Sequence, residues 1–328
     1  MKLNKTLLVD GSYMLHRSLH IPSVFNLTNN KGERTGGIFQ FVRSLQYEIR
    51  KHGSYYPVVC WDAGLAERRL ELLDNYKKHK DNQYKPDPKE LSGEEKRERE
   101  EEMEYLSEYR KQRSEIIEFL SYVGIPSLRR QGWEGDDLLY IISRQCKESI
   151  IVTDDKDLLQ LLSDNVYVSR PIADEIWSLD NFLEDRGFDS IEVFVYKKAI
   201  QGDRSDNIPQ VAKGVGEVNA ERIAKKIYSI GINNQEEYLA ELAEGNTLDQ
   251  RFVENHSKFL RNLRLIDLSY VNIPTNLLDV IDNEVSQSIG NIDYFGALGF
   301  LSEKGITDLD LDGIISNLNR LISENDLN

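Results

Sequence analysis

The chain has 328 residues, 40% of them hydrophobic and 30% charged, with a formal net charge of −15. That length and apolar content suit a sizeable core in one large or two modest domains and exclude a disordered chain. No segment reads as a membrane span or a secretory leader, so a cytosolic protein is expected. Cys60 and Cys146 are far apart and lack C-x-x-C spacing, which argues against a disulfide framework or a thiolate zinc site. The five histidines are scattered and form no H-E-x-x-H set, which leaves oxygen-ligand chemistry. Acidity this strong disfavours a nucleic-acid partner unless the acids are gathered in one place and basic patches remain elsewhere.

In chain order, short β-rich apolar runs occur at 6–10 (TLLVD), 55–62 (YYPVVCWD), 125–128 (IPSL), 149–154 (SIIVTD) and 165–169 (NVYVS). Helical patterns fill 37–52, about 95–122, 135–147 and 156–163 between them. Such alternation predicts an α/β fold with a mainly parallel sheet flanked by helices. From about residue 180 the strand signals fade into helical patterns, so we divide the chain into an α/β core (1–180), a helical lobe (181–274) and a C-terminal extension (275–328). The segment 74–113 starts basic, with Lys77, Lys78, Lys80 and Lys85, and becomes strongly acidic. By itself it reads equally well as a solvated insertion or as a surface awaiting an anionic partner.

Acids sit repeatedly where an apolar run ends or a helix begins. Asp10 follows LLV, Asp62 follows VVCW, Glu134, Asp136 and Asp137 stand in GWEGDDLLY, and Asp154, Asp155 and Asp157 follow IIVT. Each alone has an ordinary explanation as a helix cap or turn residue. In a parallel sheet, however, the carboxyl ends of the strands share one edge, so these acids converge. Strand parity points Asp155 and Asp157 one way and Asp154 the other, leaving Asp154 either to cap the helix that starts near Lys156 or to tune the site from outside. Like charges so gathered need compensation, and hard divalent cations such as Mg²⁺ or Mn²⁺ prefer oxygen ligands. Two such ions roughly 4 Å apart suit in-line phosphoryl displacement.

Asp203 and Asp206 add a further pair in KKAIQGDRSDNIP, near a helix end marked by Gly202 and Pro209. Next comes Gly214-Val215-Gly216, followed by a helix bearing Arg222, Lys225 and Lys226. A glycine turn opening a basic helix suits phosphate contacts to duplex DNA without base reading. Two other readings are weaker. A phosphatase with Asp10 as nucleophile wants a second acid two residues on, where Ser12 stands; a junction binder without catalysis would not need every acid.

The ordered blocks LLVDGSYMLHR, GERTGGIFQFVRSL, VVCWDA, YKKHK, GWEGDDLLY, IVTDDKDLLQLL and QGDRSDNIPQVAKGVGEVNA resemble the flap endonuclease and 5′–3′ exonuclease family over about residues 6–270. The resemblance implies a PIN-like 5′-nuclease fold with a helical arch at about 74–113 and a helix-hairpin-helix-like (helix-3-turn-helix) lobe. It implies a phosphodiesterase that binds branched DNA (5′ flap, pseudo-Y, nick, or RNA-primed DNA) and cleaves near the junction of a 5′ single strand with duplex. By the same resemblance, Asp10, Asp62, Glu134, Asp136, Asp137, Asp155, Asp157, Asp203 and Asp206 would hold two Mg²⁺ ions, with Mn²⁺ as a substitute. Lys77 would stabilise charge on the phosphate and Tyr76 would stack on a base. Lys78, Lys80, Lys213, Gly214, Val215, Gly216, Arg222, Lys225, Lys226, Arg34 and Arg43 would contact DNA, with K⁺ in the glycine turn. A monomer working beside replication proteins such as a single-strand-binding protein, in a bacterial or phage-infected cytosol, is the expected setting. The family more often has Ala at Gly135 and a small non-acidic residue at Asp154.

Overall fold

The computed structural model describes residues 4–77 and 92–325. Six strands form one sheet: β1 (Lys5–Asp10), β2 (Tyr56–Trp61), β3 (Ser127–Arg129), β4 (Glu148–Val152), β5 (Val166–Arg170) and β6 (Glu175–Trp177). Their spatial order is β3-β2-β1-β4-β5-β6, and every pair is parallel except β5 with β6. Val and Ile runs favour the pleat, and β1, β2 and β4 are buried almost throughout because helices cover both faces. The chain leaves β1 toward β2 on one side and later returns to pair β4 on the other. That reversal opens a crevice outside the carboxyl ends of β1 and β4.

Helices Gly36–Lys51, Gly93–Tyr122 and Gly135–Ser143 precede β2, β3 and β4, close to the periodic segments in the sequence. Several elements were not legible there, helix Pro22–Phe25 among them. Helix Gly11–Leu19 starts directly on the last residue of β1, with no intervening turn residues to mark it; Glu67–Leu72 is short; β6 is a three-residue antiparallel edge. Gly11 is required where it stands, because a Cβ would lie 2.7 Å from Val59 Cγ1 and 2.8 Å from the Trp61 ring. The run at 149–154 leaves the sheet after Val152, and the segment expected as a helix at 156–163 is a 3₁₀ helix at Lys156–Leu161. Cys60 and Cys146 are free and buried.

Beyond residue 178 the described residues form helices and short 3₁₀ turns. Ile191–Gln201 packs on Glu217–Ile230 and on His256–Ile266. Buried amides lock this lobe together and to the sheet. Asn262 Nδ2 donates to the carbonyls of Ala199 (2.9 Å) and Pro209 (2.7 Å), while Gln160 donates to Ile266 O and accepts from Leu268 N. Helices Leu277–Ser288, Tyr294–Glu303 and Leu311–Glu324 complete the chain. They pack on the body through Phe300 against Phe119, Lys304 on Glu115 at 2.5 Å and Arg50 on Asp310 at 2.9 Å. No helix among the described residues is long and apolar enough to cross a membrane.

Replacing Asn262 with Leu strips partners from two carbonyls in a fully buried place. Each orphaned acceptor costs about 1–3 kcal/mol, so the variant is expected to lose about 2–4 kcal/mol and to unfold at lower urea. An unchanged midpoint would show that these bonds do not hold the lobe.

Candidate active site

The carboxyl edge of the sheet carries a row of acids. Asp10 ends β1, Asp62 follows β2, Asp136 lies in the first turn of Gly135–Ser143, and Asp155 stands three residues past β4. Asp10 is 7% exposed; it accepts from Tyr13 N at 2.9 Å and Thr153 Oγ1 at 3.0 Å, which makes it both strand end and helix cap. Asp62 Oδ1 accepts from Gly135 N at 2.6 Å, and its own N–H goes to Ser12 Oγ. A Cβ at Gly135 would sit 3.2 Å from Asp62 Oδ1, so glycine here lets the start of its helix close up on the end of β2.

Among the described residues these four acids have no ion pair with a basic side chain, and the titration of Asp10 and Asp136 reflects it. Burial, then the charge of Asp62, pushes Asp10 up to about 7. Burial, then Asp155 and Asp10, holds Asp136 well above the ordinary carboxyl range. Among the described residues, no three His, Cys, Asp or Glu side chains close round a single point as metal ligands do. Backbone and hydroxyl donors take several of the oxygens instead, and mutual repulsion opposes tighter convergence. The donor set itself, carboxylate oxygen throughout, is what a hard divalent cation takes.

A second group of acids is compensated by side-chain cations. Lys77 Nζ lies 2.5 Å from Glu134 Oε2 and 3.5 Å from Asp206 Oδ2, with its backbone N–H on Asp206 O and φ of 50°. Burial alone would raise Glu134, yet Arg69 and Lys77 outweigh it and hold the carboxyl at about 2. Lys198 pairs with Asp157 and stands 3.9 Å from Asp203, which also accepts from Ser205 N and Oγ. Lys198 and Arg69 escaped the sequence reading, although Lys198 lies five residues before Asp203 on a helix that ends beside it.

Several assignments change. Asp137 turns away from the row: its oxygens take Arg68 Nη2 at 3.0 Å and both Arg69 Nη atoms at 2.9 and 3.2 Å, because the helix's first turn sends successive side chains in different directions. Tyr76 is 2% exposed beneath Arg69 and Lys77, with its hydroxyl between Glu134 and Asp206, and so has no open face for a base. Asp155, not Asp154, caps the Lys156–Leu161 turn by accepting from Asp157 N at 2.8 Å. Asp155 and Asp157 thus reach the site through a capping turn rather than strand parity. Asp154 faces away, bonded to the Tyr13 hydroxyl and Ile172 N and 3.7 Å from Arg170 Nε. Because Tyr13 N also holds Asp10, Asp154 braces the helix that orients that acid.

The DNA-contact candidates also divide. Lys78 and Lys80 lie outside the described residues. Arg34 pairs with Glu104 at 2.7 Å over the Phe25 ring, and Arg43 is exposed. Gly214 has φ of 89°, Val215 is buried, and Gly216 caps the Glu217–Ile230 helix without a side-chain cap. On that helix Arg222 is bound to Asp249, Lys225 to Glu221 and Lys226 to Glu241. A groove of about 650 Å³ beside the turn is instead lined by Arg204, Lys213, Arg251 and Lys258, among others. None of these four makes an ion pair among the described residues. Sequence reasoning missed Arg204, Arg251 and Lys258, which lie up to 54 residues apart and meet only in the fold.

A mainly parallel sheet with acids along its carboxyl edge, continued by a helical lobe with a glycine turn, defines a PIN-like 5′ nuclease. Residues 5–187 match the family model described as 5′–3′ exonuclease, N-terminal resolvase-like domain. A 5′–3′ exonuclease of Aquifex aeolicus (strain VF5) is 32% identical over 231 residues, covering 69% of this chain and 71% of that protein. Thermostable DNA polymerase I of Thermus aquaticus is 28% identical over 231 residues, covering 68% of this chain and 24% of the polymerase. The flap endonuclease of bacteriophage T5, solved as a pseudo-enzyme–product complex with DNA and metal ions, shares the fold. Its TM-score is 0.60 at 23% identity, covering 98% of this chain and 100% of that one. The chain belongs to the 5′–3′ exonuclease family of nuclease hydrolases.

With its titration raised, ionised Asp10 opposes folding. Its contribution to stability is complete below about pH 4 and is lost as pH rises through about 7. In EDTA at pH 8, Asp10→Asn is therefore expected to be more stable than the parent by about 2–4 kcal/mol, with no difference at pH 4. Glu134 works in the opposite sense, its contribution fading as pH falls toward about 2. Calorimetric melting across this pH range checks both signs, and a pH-independent difference for Asp10→Asn would refute the first.

Proposed function

We propose that the protein is a structure-specific 5′ nuclease that hydrolyses phosphodiester bonds near the junction of a 5′ single-stranded end with duplex DNA, as replication primer removal, flap removal and repair require. The observation that carries this reading is the row of four uncompensated carboxylates beside a cationic groove. Asp10, Asp62, Asp136 and Asp155 would hold one Mg²⁺ or Mn²⁺ ion, and Asp157, Asp203 and Asp206 a second. Bound there, such ions supply Lewis acidity and neutralise charge on a phosphodiester. Lys198 and Lys77 already place positive charge among the second set, which supports a cation requirement there.

The chain's own groups supply the rest. Lys77, kept protonated by Glu134 and Asp206 against the effect of burial, stands ready to exchange one carboxylate for a phosphate oxygen. Arg204, Lys213, Arg251 and Lys258 would bind duplex phosphates in register with the acids, since Arg204 directly follows Asp203. The uncapped first turn after Gly216 would add backbone N–H donors, and a K⁺ ion at the turn would add charge. DNA and metal ions bound to the phage T5 relative support the same ligands here. We further propose action as a monomer in the cytosol.

Asp155→Asn with Asp157→Asn is expected to reduce cleavage of a 5′-flap substrate in Mg²⁺ to background while leaving binding in EDTA intact; undiminished cleavage would sink the metal assignment. Arg251→Gln with Lys258→Gln should lower the magnitude of the salt slope of duplex binding by about 2, at about 0.9 per phosphate contact. Lys225→Gln with Lys226→Gln should change it less, because Glu221 and Glu241 already occupy those ammonium groups. The reverse ranking would place the duplex on the helix face rather than in the groove.

A further inference from the structure

At the β3 end of the acidic row two arginines meet. Arg113, on the Gly93–Tyr122 helix, points Nη1 at the carbonyl oxygen of Asp62 at 3.5 Å, and Arg129, the last residue of β3, points Nε at the same oxygen at 3.4 Å. Among the described residues neither makes an ion pair, whereas the adjacent Arg130 is bound to Glu284 at 2.6 Å. Each guanidinium has five N–H donors, so two of them share one acceptor at the long limit of hydrogen bonding.

The pair is also held in place. Arg113 lies over the ring of Tyr109 at 5.4 Å, and that buried ring stacks on His16 at 4.1 Å with an interplanar angle of 12°. Arg129 is fixed by strand register opposite Trp61, the residue before Asp62. A like-charge pair restrained this way, with planar forks free, matches a phosphate group.

Sheet order decides which phosphate. Along the carboxyl edge the sequence of groups is Arg129 on β3, Asp62 after β2, Asp10 on β1 and Asp155 after β4, followed by Asp157, Lys198 and Asp203 at the helical lobe. Adjacent strands are about 5 Å apart, so the arginine pair is one strand spacing from Asp62 and on the side opposite the Arg204–Lys258 groove. A strand cleaved over the acids with its duplex in that groove must leave on the β3 side.

We propose that Arg113 and Arg129 form a phosphate clamp for the single-stranded 5′ arm of the substrate. The inference rests on the 5′-nuclease reading. Its ligand is a phosphate of that arm, either an internal phosphodiester or the terminal 5′-phosphate. The clamp adds affinity for the arm and leaves duplex binding to the groove.

The test is equilibrium binding in EDTA of 3′-labelled DNA in three forms: a duplex with a 5′ single-stranded arm ending in hydroxyl, the same arm ending in phosphate, and a blunt duplex. Arg113→Gln with Arg129→Gln should weaken both armed substrates about tenfold or more, as expected for losing charge-assisted contacts. It should also reduce their salt slope by about 0.7 per lost single-strand phosphate contact. Blunt-duplex affinity should stay within about twofold, which doubles as the control for folding. The Arg113→Lys, Arg129→Lys pair should recover part of the loss, because charge returns without the fork. Equal losses on the two arms identify an internal phosphodiester; a larger loss on the phosphorylated arm identifies the terminal group; both support the clamp. Unchanged arm binding, or an equal loss on blunt duplex, overturns it. If the unaltered protein binds none of the three, the nuclease reading fails instead.

Discussion

Repulsion among carboxylates at one edge of the sheet is the constraint on which the rest of this structure depends. Parallel pairing forces the ends of β1, β2 and β4 together, and each end delivers an acid. The protein answers that repulsion in two ways. Glu134, Asp157, Asp203 and Asp206 have Lys77, Arg69 and Lys198 among them, although burial still holds the Asp157 carboxyl above its ordinary range. Among the described residues Asp10, Asp62, Asp136 and Asp155 have no cation partner; Asp10, Asp62 and Asp155 are held by hydrogen bonds, and the titrations of Asp10 and Asp136 are displaced upward. A folded chain that tolerates ionised groups in this state gains when a cation binds, because binding removes the penalty folding incurred.

The compensating cations also join the parts of the molecule. Arg69 bonds Glu134 and Asp137 and, through Nε, the carbonyl of Leu265 in the helical lobe at 3.0 Å. Lys77 connects the end of segment 67–76 to Asp206, and Lys198 connects the lobe to Asp157. Breaking a buried pair of this kind typically costs about 3–5 kcal/mol, more than an exposed pair by several-fold. The electrostatics of the site and the docking of the lobe are therefore one set of contacts, so an ion entering the row would be felt in the lobe.

Net charge of −15 does not prevent DNA binding in such an arrangement, because most of the field that matters is local. Some of the acids elsewhere are spent on ion pairs such as Arg222–Asp249 and Lys226–Glu241, while the four groove cations and the Arg113–Arg129 pair have none among the described residues. In the proposed reading, the cations at both ends of the acidic row would give a phosphate backbone a track, with the acids between them.

Much of this was legible in the sequence, and the boundary of what was legible has physical causes. Period-two and period-3.6 patterns mark strands and helices wherever burial is one-sided or complete, so five strands and the covering helices could be read. Strand-end acids could be read as converging because parallel pairing leaves no alternative. Helix Gly11–Leu19 was hidden because Asp10 is strand end, cap and site acid at once. Whether Asp137 joins the row or turns to Arg69, whether Tyr76 is a platform or a buried anchor, and which lysines are free were decided only by tertiary structure. Those outcomes depend on partners up to 130 residues away, brought within hydrogen-bonding distance by packing. The amino-acid sequence by itself determined which charges exist and on which strand ends they fall; folding decided which of them are cancelled, since Coulomb energy depends on distances that only packing sets.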